Sequence, residues 1–129
     1  MKPIVNIVEY GVAEILVPHL ERRVHVCKTL EDALAFGGQP CSDTDCSGFD
    51  GLTVFDTEKG CKVALWFAGK SPDPSTIAHE CLHAVNILHG DVGINADRYN
   101  DETDAYMLGY LVDGVYSALR MLNKQENNQ

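Results

Sequence analysis

His79-Glu80-Cys81-Leu82-His83 sets two imidazoles four residues apart, with a carboxylate beside the first. On a helix that spacing turns the chain through about 400°, so both rings project from one face, within about 40° of each other. Such a pair suits one small cation. Imidazole nitrogens bind zinc at about 2.0–2.1 Å, and a catalytic zinc commonly takes three protein ligands and keeps one position for water. Glu80 would accept that water's proton. This is the helix-borne HExxH pattern, two histidines for zinc and the glutamate as general base. Three fixed residues in five also occur by chance, so the neighbouring elements must decide.

Upstream, Ser71-Pro72-Asp73-Pro74 reads as a helix start. Asp73 is placed to be the N-cap, and Pro74 fits the first helical position, where a missing N–H costs nothing. Ile77, Ala78, Cys81, Leu82, Val85 and Leu88 then form an apolar stripe, with Gly90 as the expected stop. The motif therefore lies in mid-helix, between a core and a cleft.

The chain has 129 residues, enough to bury one core, and a single domain over residues 1–129 is expected. A formal charge of −9 gives no basic footprint, which argues against nucleic acid and against anionic lipid as partners. Near the N-terminus Pro3, Asn6, Glu9 and Glu14 interrupt any signal-peptide core, and no run is long enough to span a membrane. A cytoplasmic protein is the expectation. Five cysteines without a CxxC pair fit reduced thiols better than disulfides or a cysteine zinc site.

Residues 3–8 and 12–17 read as strands around a turn at Tyr10-Gly11, although Ala13-Glu14-Ile15-Leu16 would also tolerate a helix, and His25-Val26-Cys27 reads as extended. Thr29 can cap a short helix over Leu30–Phe36 that Gly37-Gly38 ends. Residues 38–51 are a polar loop. Asp43, Asp45, Ser47 and Gly48 mimic the opening of a calcium loop, but its twelfth position, where a bidentate carboxylate belongs, is Val54, so a solvated loop is expected. Leu52–Phe55 and Cys61–Phe67 read as a hairpin. The second strand leads into the motif helix. As an edge it could hold an extended peptide by strand addition; as an inner strand it would pack Trp66 in the core. A long helix over Asp101–Asn123 carries Ala105, Leu108, Leu111, Val112, Val115, Leu119 and Leu122 on one face. Together these elements predict an α+β chain, a short mixed or antiparallel sheet packed on the motif helix and a long C-terminal helix.

Two residues compete for third ligand. His89, six after His83 and with Asn86 where the longer metzincin motif carries glycine, would complete that motif only if the helix broke at Asn86. In an unbroken helix His89 is rotated about 240° from His83 and points away. Glu102, nineteen residues after His83, opens the next helix, where the dipole favours a carboxylate. A helix–loop–helix hairpin would swing it back to the imidazoles.

The motif followed by Asp101-Glu102-Thr103-Asp104-Ala105-Tyr106-Met107-Leu108-Gly109-Tyr110 resembles small bacterial and phage metallopeptidases of the gluzincin type. The resemblance covers roughly residues 74–112. It implies a zincin-like fold, a Zn²⁺ held by His79, His83 and Glu102, Glu80 as base, and a peptide or protein substrate. Thr103 and Asp104 depart from that family's proline and aromatic, which leaves Asp101 as a substitute ligand and Asp104 as an acceptor that could orient a histidine N–H. Tyr106 is the candidate donor to the developing oxyanion, with Tyr99 as a second. A protein that binds metal without turnover, or an interaction domain with accidental histidines, is the rival reading; neither has a use for Glu80.

Overall fold

The structure, a computed structural model, describes residues 2–40, 49–58, 60–95, 97–99 and 101–128. Segments rich in Ile and Val make β1 (Ile4–Glu9) and β2 (Val12–Val17), joined at Gly11 with φ 82°. A 3-10 turn at Pro18–Leu20 leads to β3 (Arg22–Cys27). Helix α1 (Leu30–Gly37) starts where Thr29 accepts a hydrogen bond from the Asp32 N–H at 3.1 Å and ends at Gly38, φ 94°, as the capping residues require. β4 (Gln39–Pro40), β5 (Gly51–Asp56) and β6 (Lys62–Phe67) follow, then α2 (Pro74–Asp91) and α3 (Glu102–Asn127). The calcium-like positions 43, 45, 47 and 48 lie outside the described residues; Val54 is a buried residue of β5.

The six strands form one mixed sheet in the order β1-β2-β3-β6-β5-β4, antiparallel except for β3 beside β6. The chain is thus α+β. β6 is an inner strand, flanked by β3 and β5, so Cys61–Phe67 offers no free edge. Its sequence reflects this: Val63, Leu65 and Phe67 bury on one face, while Ala64 and half-buried Trp66 pack on the other, the nearly continuous apolar run of a strand covered twice.

One face of the sheet carries Ile15, Val24, Val26, Leu65 and Phe67 against Ile77, Cys81, Val85 and Leu88 of α2 and Leu111, Val115 and Leu122 of α3. Each fully buried Leu or Ile there contributes about 1.5–3 kcal/mol. The opposite face is covered by α1, through Val12, Cys27, Ala33, Val54 and Ala64. Tyr110 ties α3 to the outer hairpin: its hydroxyl donates to the Leu16 carbonyl and accepts from the Ile4 N–H. Cys27, Cys61 and Cys81 are free and buried. Among the described residues no helix is long and apolar enough to cross a membrane.

Candidate functional site

Pro74 stands at the start of α2 as its sequence predicts, and Asp73 is the N-cap residue, although its side chain makes no capping bond. The helix is unbroken through Asn86. Gly90 does not stop it. The chain continues to Asp91 and closes around Gly93, φ 81°, with the Ile94 N–H on the His89 carbonyl at 2.8 Å and the Gly93 N–H on the Gly90 carbonyl at 3.2 Å. That is a Schellman closure, which needs its left-handed residue one place after the cap.

In this straight helix His79 and His83 share a face. Their Nε2 atoms approach to 3.3 Å, the rings edge-on at 82°. A tetrahedral ion with Zn–N of about 2.0–2.1 Å holds two ligand nitrogens about 3.3–3.4 Å apart, so the pair fits two corners of such a site. An N–H···N bond between opposite tautomers fits the same distance; what distinguishes the pair is the carboxylate at its side. Glu80 is 7% exposed, and its Oε2 lies 3.9 Å from His79 Nε2. Its Oε1 accepts the Thr53 hydroxyl proton at 2.7 Å. Cys81, inside the motif, turns into the core, where burial and then the neighbouring Glu80 push its thiol up to about 12. Its side chain belongs to the core and does not line the cleft.

β5 supplies the opposite wall. Gly51, Leu52 and Thr53 line a cleft of about 560 Å³ with Ser75, Thr76, His79, Glu80 and His83, and Phe49 and Asp50 at its mouth. β5 approaches α2 so closely that a Cβ on Gly51 would stand 3.0 Å from Thr76 Cγ2 and 3.2 Å from Glu80 Cγ. Since β4 pairs only with Val54 and Phe55, the Gly51–Thr53 edge has no partner strand among the described residues. Sequence reasoning missed these wall residues; the one available signal was a Gly and a Thr in an otherwise apolar strand.

The other predicted residues lie elsewhere. Glu102 is exposed at the first residue of α3, and among the described residues no third His, Cys, Asp or Glu forms a group of three with the two imidazoles. Asp101 is the N-cap, its carbonyl accepting the Ala105 N–H at 2.9 Å. Asp104 turns inward and meets His89 Nδ1 at 2.6 Å, so it orients a histidine, but the buried one rather than a motif one. Accordingly His89 is occupied away from the cleft. Tyr106, 76% exposed, lines a separate hollow with Pro18, His19 and Tyr110, and Tyr99 is 93% exposed; neither borders the cleft, because each projects from a face of α3 or its preceding loop that is turned to solvent.

No family model, curated protein or solved structure matches this chain.

Proposed function

We propose that the chain is a zinc-dependent peptidase with a zincin-like site, in which His79 and His83 hold the ion through Nε2 and Glu80 is the general base. The observation that carries this reading is the pair of converging Nε2 atoms beside a carboxylate that is buried yet only 3.9 Å from one of them. Burying a carboxylate costs several kcal/mol, and the bond from Thr53 satisfies only Oε1, leaving Oε2 without a donor among the described residues. Zinc, when bound, supplies a Lewis acid that acidifies water and polarises a carbonyl.

The chain's own groups supply the rest. The Gly51–Thr53 edge, without a partner strand among the described residues, is suited to hold an extended peptide by main-chain hydrogen bonds. Glu80 takes one proton from the attacking water, whose oxygen joins the acyl carbon. As the C–N bond breaks, that proton and then the second reach the amine, leaving a carboxylate and an ammonium. Glu102 is the proposed third ligand. That role comes from the resemblance of the Asp101–Tyr110 segment; the residue is exposed at the start of α3 and does not line the cleft. Tyr106, far out on its own hollow, has no part in this reading.

A metal-capturing protein without turnover is the second reading; it uses the same converging imidazoles and needs no base. Zinc analysis with hydrolysis of a fluorogenic peptide library separates the two. The purified chain is expected to hold stoichiometric zinc and cleave peptides; His79→Ala and Glu102→Ala lose zinc, while Glu80→Gln keeps zinc and loses about 10²–10⁴-fold in kcat. Stoichiometric zinc without cleavage supports the second reading, and no bound zinc defeats both.

A further inference from the structure

Thr53 is the one buried threonine on the wall facing α2, 0% exposed, twenty-seven residues from Glu80 in sequence. Its hydroxyl lies 2.7 Å from Glu80 Oε1 and 3.1 Å from the same residue's backbone oxygen. A hydroxyl has one proton, and the charged oxygen at the shorter distance is the stronger acceptor. The contact therefore fixes the Glu80 rotamer against its own main chain. Among the described residues no donor reaches Oε2, the oxygen on the His79 side. Gly51 permits the approach, since any side chain there would press on Glu80 Cγ.

We infer that Thr53 is a positioning residue: by occupying Oε1 it leaves Oε2, beside the imidazole pair, as the oxygen that carries the proton. The inference rests on the peptidase reading above. A strand position buried for packing alone is served better by valine, which has the same shape and no hydroxyl to satisfy. The cost of burying this hydroxyl is offset by one acceptor, and that acceptor is the candidate base.

Thr53→Val removes the hydroxyl and keeps the volume; Thr53→Ala removes it without crowding, should the valine disturb packing; Thr53→Ser restores it. Peptide-library hydrolysis, zinc content and the Glu80 side-chain scalar couplings of the metal-free protein are the measurements. Expected are a 10- to 100-fold lower kcat in the Val and Ala variants with KM and zinc content unchanged, couplings that change from one rotamer to an average, and recovery of both in Thr53→Ser to within about threefold of the parent. Parental kcat in Thr53→Val, or a serine variant as poor as the valine, overturns the inference while the peptidase reading stands. No hydrolysis by the parent chain overturns both.

Discussion

His25 shows how one side chain couples this fold to pH. On β3 its ring stacks on Phe36 at 4.6 Å, with Glu14 Oε2 4.0 Å away. Burial lowers its pKa below 6.5, and Glu14 opposes that only in part. The folded chain thus keeps His25 neutral where the unfolded chain protonates it, so the unfolded state binds more protons as pH falls through 6.5. Stability contributed through this residue is full above pH 6.5 and declines below it, down to the lowered folded pKa. Urea midpoints of the parent between pH 7 and 5 are expected to fall more steeply than those of His25→Gln; parallel slopes would refute the assignment. Cys27 and Cys81 are protonated throughout this range, since burial pushes both thiols up to about 12. The odd cysteine count suggested reduced thiols, but inertness follows from burial, which a count does not contain.

At the scale of elements, α2 separates what periodicity encodes from what closure geometry decides. The stripe from Ile77 to Leu88 and the start at Pro74 were readable because each depends on neighbours within one turn. The end was misplaced by a few residues because two glycines compete, and only the one in left-handed conformation stops the helix. Gly90 is helical with open space where a Cβ would stand, whereas Gly93 has φ 81°. Alanine should therefore act with opposite signs: Gly93→Ala is expected to destabilise by about 1 kcal/mol and Gly90→Ala to stabilise by about 0.5–1 kcal/mol. Thermal melts decide this, and equal shifts would contradict the closure described. β6 teaches the same lesson. Its apolar run announces a strand covered on both faces, yet nothing local says that β3 and β5 are its neighbours.

For the whole molecule, the packing of α2 on the sheet brings the site's two walls together. α2 carries the imidazoles, β5 the wall, and α3 is clamped to α2 through His89 and Asp104. A ligand that binds only this assembled arrangement must stabilise it by mass action. Zinc at a hundred times its Kd is expected to add about 2.7 kcal/mol, or roughly 10 °C in Tm for a chain of this size. His79→Ala should abolish the shift; an equal shift in that variant would place zinc elsewhere.

Local regularities were settled by the chain as written: 3.6 residues per turn aligned His79 with His83, a threonine started α1, and runs rich in Ile and Val made the first strands. Contacts between distant segments were not. Thr53 reaches Glu80 across twenty-seven residues, Asp104 turns to His89, and Tyr106 faces a separate hollow. Each outcome depends on strand order and helix rotation, which minimise exposed apolar area over the entire sheet, and no window of neighbouring residues holds that information.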